Sequence, residues 1–322
     1  MAKAVFQNPI FQDETKAREA LEAVLWPEGP FCRHCGNSNP DMIAKMQGKS
    51  ARPGLHYCNE CKREFTVTVG TVFERSKVPL TKWWMAAYML NSGKNGVSAH
   101  EIHRNIGVTY KTAWFMMHRL REAMTGMNSG PMGGEGKSVQ ADETYYGNSS
   151  KRAKGYRKGH SHKASVVALV EPKGRVRAFH VKRATSESVR DILVRNAHRK
   201  SELHTDESRL YIEVGKEFAA HKTVEHGWNQ GGFYVGKDGQ TTNAVENFFG
   251  NFKRSMKGTY RFCSEQHLQR YLTEFEFRHN NRSGLGVSDG ERTANALKGA
   301  EGKRLTYRPT NSAKAPIYKA YR

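Results

Sequence analysis

Four cysteines constrain this chain more than any other feature: Cys32-x-x-Cys35 and Cys58-x-x-Cys61 are two short knuckles separated by 22 residues. Each knuckle can present two thiols from a tight turn. Two of them face to face supply the four thiolates that a tetrahedral zinc ion takes. The competing reading is a set of redox dithiols or disulfides, which belongs to oxidising compartments. A segment this small has little core, so bound metal would contribute much of its folding free energy. The fifth cysteine, Cys263, has no partner in sequence and reads as an ordinary buried thiol. Just upstream, residues 12–25 carry Asp13 as an N-cap and Ala17, Leu21, Val24 and Leu25 at helical spacing, a helix expected to pack on the cysteine module. Between Phe31 and about Thr71 the pattern alternates, with Phe65, Val67 and Val69 on one strand face. Residues 1–75 thus read as a helix and a zinc ribbon.

Over 76–125 the period changes from 2 to 3.6. Trp83, Trp84, Ala87 and Leu90 give one helix, Ser98-x-x-Glu101 reads as a capping box that starts a second, and Thr109 can cap a third. In the third helix Ala113, Met116, Met117 and Leu120 form the apolar stripe, and Gly107 lies in the turn before it. Helix, glycine-containing turn and helix is the pattern of a DNA-binding helix-turn-helix, which would present Lys111, Thr112, His118, Arg119 and Arg121 to a groove. A helical bundle with a solvated basic face is the plainer reading. The three tryptophans of this region, Trp83, Trp84 and Trp114, read as core. Residues 126–136, GMNSGPMGGEG, are rich in glycine and read as a linker.

The next segment, 137–285, is read from its acids. Asp142 follows the alternation of Val139 and Ala141, Asp206 ends the strand-like ELHTD, and Glu246 lies on a helical stretch, TTNAVENFFGNFK. Between the first two acids come ASVVALV and VRAFHV, joined as a hairpin, then a helix with Val189, Ile192, Leu193 and Ala197. Three strands, a helix and a fourth strand, with acids on the first and fourth, is the order of an α/β, RNase H-like domain. Magnesium or manganese takes hard oxygen ligands, and three carboxylates can hold two such ions for phosphodiester chemistry. Asn243 is an oxygen-donor rival to Glu246, and Lys253 falls near the same helix face, where it could contact a phosphate. Glu143 and Glu207 directly follow the two aspartates, and strand alternation turns them away, so the expected site omits both. From 286 to 322 the chain reads as a basic, weakly patterned tail.

The 322 residues carry 52 Lys and Arg against 31 Asp and Glu, a formal charge of +21. Such a field attracts polyanions, and nucleic acid comes first among them. A membrane partner is disfavoured because no apolar run approaches the roughly 20 residues needed to span a bilayer, and without a signal peptide the expected location is the cytoplasm. The basic loop 151–163, with Lys154, Arg157 and Lys158, is a candidate footprint for a DNA backbone.

FCRHCG, GTVFERSKVPLTKWWMAAYM, VQADETYYG, LHTDES, TTNAVENFFGNFKRSMKGTY and LQRYLTEFEFRHNNR together resemble the zinc-ribbon, DDE-type insertion-sequence transposases of the family numbered fifteen-ninety-five. The resemblance runs from about Phe11 to Arg282. It implies DNA cleavage at the ends of a mobile element and strand transfer into a target, with Asp142 and Asp206 in the catalytic positions. The third position varies between Asn and Glu in that family. Two DNA ends imply a homo-oligomer on DNA. Family members often have two glycines after the first catalytic strand, where this chain has Gly147-Asn148. A non-catalytic DNA-binding regulator derived from a transposase, or a nuclease without strand transfer, would carry many of the same motifs.

Overall fold

The computed structural model describes residues 4–48, 51–126, 130–147, 163–225, 235–236 and 239–306. Two units emerge, one formed by Met1–Tyr88, Ala99–Ala123 and Ala294–Arg322, the other by Met89–Ser98 and Met124–Thr293.

In the first unit, Asp13 takes the N–H groups of Thr15 and Lys16 (2.7 and 3.1 Å) and so starts helix α1, Glu14–Leu25. Ala17, Leu21 and Leu25 are buried along it, while Val24 is half-exposed. Strands β1 (Ile43–Lys45), β2 (His56–Cys58) and β3 (Arg63–Phe65) form a small antiparallel sheet in sequence order. Trp26, just past α1, stands edge-on to His56 and Phe65 with ring centroids 5.3 and 5.9 Å away, so the helix closes on the sheet as expected. β3 stops at Phe65 instead of running on to Val69. The threonines turn the chain there: Thr71 Oγ1 donates to the Thr68 carbonyl at 2.7 Å, and Gly70 adopts a φ of +69°.

Helices α2 (Leu80–Ser92), α3 (Ala99–Ile106) and α4 (Tyr110–Ala123) follow. The Glu14 carboxylate accepts from the free N–H groups of Leu80 and Thr81 at 2.7 and 3.2 Å, capping α2 from α1. Trp83 and Trp84 are core residues, and Trp84 Nε1 donates to the Ala17 carbonyl at 2.8 Å. Trp114 is half-buried against His118. Thr109 accepts from Thr112 N–H at 3.2 Å and caps α4.

The second unit is built on a five-stranded sheet. In chain order its elements are β4 (Ser138–Tyr146), β5 (Ala164–Val170), β6 (Val176–Val181), α5 (Ser186–Asn196), β7 (Glu202–Asp206), the single turn α6 (Ile212–Gly215), β8 (Ala220–Val224), α7 (Asn243–Ser255) and α8 (Glu265–Asn280). The strand order is β6-β5-β4-β7-β8, with β5 antiparallel to both neighbours and β4, β7 and β8 mutually parallel. Val166, Ala168 and Val170 of β5 pack against Phe248, Phe249 and Phe252 of α7 and Leu272 of α8. Val139, Ala141, Val167, Leu169 and Leu203 pack on the other face against Val189 and Leu193 of α5 and Tyr211. β5 is buried at every position because helices cover both its faces.

Two sequence expectations need correction here. Residues 130–136 are not a free linker: Met132 is fully buried, exchanges backbone hydrogen bonds with Asn196 and His198, and is followed by Gly133, whose N–H donates to Glu171 at 2.7 Å. Gly133 has a φ of +79°, and a Cβ there would lie 2.2 Å from Ser201 Oγ, so the glycine serves close packing. The segment beyond 286 is not uniformly unpatterned either, since α9 spans Asp289–Lys298. Ser288 and Glu291 make its reciprocal capping box (2.8 and 3.3 Å). Among the described residues, no helix is long and apolar enough to cross a membrane.

Two candidate metal centres

The cysteine knuckles meet beside the small sheet. Cys32 Sγ lies 3.5 Å from Cys61 Sγ, Cys35 Sγ lies 3.7 Å from Cys58 Sγ, and all four sulfurs are within 4.8 Å of one another. A tetrahedron of thiolates with zinc–sulfur bonds of about 2.3 Å has edges of about 3.8 Å, so the donor set fits zinc. The sulfurs are unpaired as disulfides. The backbone N–H groups of Cys61 and Glu60 pull the Cys58 thiol down to about 6, toward the thiolate that a metal takes, while burial and the neighbouring sulfurs push Cys61 up to about 12. Cys263 sits elsewhere, half-buried, with its thiol toward the Ser264 carbonyl.

The acids gather on the second sheet. Gln140 of β4 is in register with His204 of β7, so Asp142 and Asp206, each two residues further on, emerge on the same sheet face. β4 does not end at the acids as the sequence suggested; β5 carries the ladder on to Tyr146. What ends at this level is β7, whose last residue is Asp206. The β7 edge of β4 therefore opens beside Asp142. Oxygens of Asp142, Asp206 and Glu143 all lie within 4.8 Å of one another. Burial pushes the Asp142 carboxyl up to about 7, reinforced by the charges of Asp206 and Glu143 and, more weakly, Glu246. Two or three carboxylates drawn this close without a cation repel one another, and a hard divalent ion relieves that repulsion.

Glu143 is the functional candidate that sequence reasoning missed. Alternation does turn it to the opposite face, opposite Val167, where Tyr211 Oη donates to its Oε2 at 2.8 Å. At the open end of the sheet, however, a glutamate is long enough to bring an oxygen back toward the aspartates. Glu207 is exposed and outside the cluster. Glu246, in the first turn of α7, is half-buried, accepts from Thr242 Oγ1 at 2.5 Å, and is not one of the three acids in mutual reach. Asn243, the first residue of α7, is exposed, and so is Lys253.

Among the expected DNA contacts, Lys111 is exposed on the first turn of α4. Arg121 and His118 are only 1% exposed, which corrects their placement on a groove-facing surface. The apolar stripe of α4 is wider than Ala113, Met116, Met117 and Leu120, and both side chains lie within it. Arg119 is half-buried, and its guanidinium donates to the Glu74 and Leu305 carbonyls at 3.2 and 3.1 Å. Lys154, Arg157 and Lys158 lie outside the described residues.

Two family models match the chain: a transposase zinc-ribbon domain over residues 12–64 and an ISXO2-like transposase domain over residues 133–280. It is also 26% identical over 283 residues to a Halobacterium salinarum protein described as an uncharacterized protein in transposable element ISH50, an alignment covering 83% of this chain and 91% of that protein.

Proposed function

The chain belongs to the zinc-ribbon, DDE-type insertion-sequence transposases, and from that premise we propose that it binds the ends of an insertion sequence and carries out metal-dependent cleavage and strand transfer of DNA. The observation that carries this reading is the pairing of Asp142 and Asp206 on one sheet face, beside the first turn of α7. Its second unit would be an RNase H-like catalytic domain. Asp142 and Asp206 would hold magnesium or manganese, with Glu246 as third ligand, Asn243 as its rival and Glu143 as an added carboxylate. Magnesium or manganese held by these carboxylates would supply Lewis-acid activation of the attacking oxygen and charge stabilisation of the leaving oxygen.

The protein groups position the DNA around that chemistry. Lys253 would steady a phosphate, and Lys154, Arg157 and Lys158 would follow the backbone. α3 and α4 would form a helix-turn-helix reading the element ends through Lys111, with the zinc-held ribbon beside it in sequence. The active form would be a homo-oligomer on two DNA ends, acting in the cytoplasm. The test is incubation of purified protein with labelled DNA carrying its own element's ends and Mg²⁺. Products longer than the substrate are expected from the wild type, and none from Asp142→Asn. Joining that survives Asp142→Asn would sink the mechanism.

A further inference from the structure

A helix that starts at Asn243 exposes the N–H groups of its first turn, and an N-cap side chain ordinarily takes those of the second and third residues. The N-cap here, Thr242, makes no such bond; its hydroxyl donates instead to Glu246. The Ala244 and Val245 N–H groups donate to the side-chain oxygen of Gln140, 2.9 and 3.2 Å away and more than one hundred residues earlier in the chain. Gln140 lies on β4, two residues before Asp142 and on the same sheet face. The cap of α7 is thus delivered by the strand that carries the first acid, onto the turn that carries Asn243 and Glu246.

The amide orientation has one solution, because the flipped form would set its NH₂ against two N–H donors. In that orientation Nε2 is buried and finds no acceptor among the described residues, in a side chain only 1% exposed. His204, paired with Gln140 on β7, likewise has a buried Nδ1 without a partner among them, its Nε2 facing Glu202 at 3.4 Å. An unsatisfied buried polar group is destabilising, and an apolar side chain of similar size would avoid that cost. What the glutamine adds is geometry: one oxygen fixes both the distance and the rotation of the α7 start relative to Asp142.

The geometry points to Gln140 as a positioning residue that sets the third metal ligand, on Glu246 or Asn243, against Asp142. This rests on the metal reading given under Proposed function. Residues that orient metal ligands typically contribute 10- to 100-fold in affinity. Gln140→Met, close in size but without an acceptor, should therefore weaken Mn²⁺ binding about tenfold, followed by the loss of the free-ion electron paramagnetic resonance signal. Gln140→Glu, which retains an acceptor oxygen, should restore affinity to within about threefold of the wild type. When Glu246→Gln and Asn243→Ala are both present, Gln140→Met should change affinity by less than about twofold, because the groups it positions are gone. Hydrogen exchange supplies a readout that needs neither metal nor variant: in the wild type, the Ala244 and Val245 amides should be protected like the middle of α7. Exchange of those two amides at the rate of a frayed helix end would overturn the clamp, as would wild-type Mn²⁺ affinity in Gln140→Met. If Asp142→Asn leaves Mn²⁺ affinity unchanged, the metal reading itself falls, and that result is distinct from failure of the clamp.

Discussion

Tyr211 donates its hydroxyl hydrogen to Glu143 Oε2 at 2.8 Å, tying the glutamate that follows Asp142 to the α5 side of the sheet. Tyr211 is fully buried, and burial together with the neighbouring Glu143 charge keeps its hydroxyl protonated far above the usual range. It is therefore a fixed donor that holds one Glu143 oxygen, while a Glu143 oxygen also lies within 4.8 Å of the two aspartates. Tyr211→Phe should cost about 1–3 kcal/mol in urea unfolding, as expected when a buried acceptor loses its donor. Glu143→Gln should lower Mn²⁺ affinity severalfold while the zinc content stays constant. Unchanged Mn²⁺ affinity in Glu143→Gln would remove Glu143 from the metal site.

Asp142 makes stability depend on pH. Its carboxyl ionises near 7 in the folded chain and near 3.8 in the unfolded one, so between those values the folded state holds more protons, and stability falls as pH rises through that window. Above pH 7 the cost is complete, at most a few kcal/mol. Asp142→Asn should accordingly melt higher than the wild type at pH 8 and differ little at pH 4. The comparison belongs in magnesium-free buffer without chelator, so that zinc is retained. Added Mg²⁺ should stabilise the wild type and shrink the pH 8 difference, and equal melting temperatures at pH 8 would contradict the raised carboxyl.

Cys58 accepts backbone N–H bonds from its own knuckle and lies on β2 in the middle of the small sheet. Cys58→Ser should release zinc and loosen the first unit, while the second unit, which has its own core, keeps its folding transition. Metal analysis and a two-transition melt would show this. Wild-type protein that contains no zinc, with four freely reacting thiols, would refute the site.

Legibility differed between the two centres for physical reasons. The cysteine site was readable because coordination demands both residue type and spacing, and so was the strand-strand-strand-helix-strand order, because hairpin and helix periods differ. Glu143 was not readable: alternation states where a Cβ points, not how far a flexible side chain returns at an open sheet edge. β8 was missed because AHKTV buries only Val224 and shows no period. Gln140 carries no local signal, since its partners lie more than one hundred residues away. α9 did have a signal, the Ser288-x-x-Glu291 capping box, which the glycines around it, Gly284, Gly286 and Gly290, masked.

On α4, Lys111 and Arg121 should respond oppositely to truncation. Lys111 is exposed at the start of the helix and Arg121 is buried near its end. Lys111→Ala should leave the melting temperature unchanged and reduce the salt dependence of end binding by about one unit of slope, as for a single phosphate contact. If Lys111 reads a base, the loss is instead about 1–3 kcal/mol of specific affinity. Arg121→Ala removes a large core side chain and should destabilise the first unit by several kcal/mol before any DNA is added. Arg119→Ala falls between, because the Glu74 and Leu305 carbonyls lose their donor. Binding isotherms at several salt concentrations, set beside thermal melts, separate these roles. A soluble, normally melting Arg121→Ala protein with weakened end binding would return Arg121 to the DNA surface.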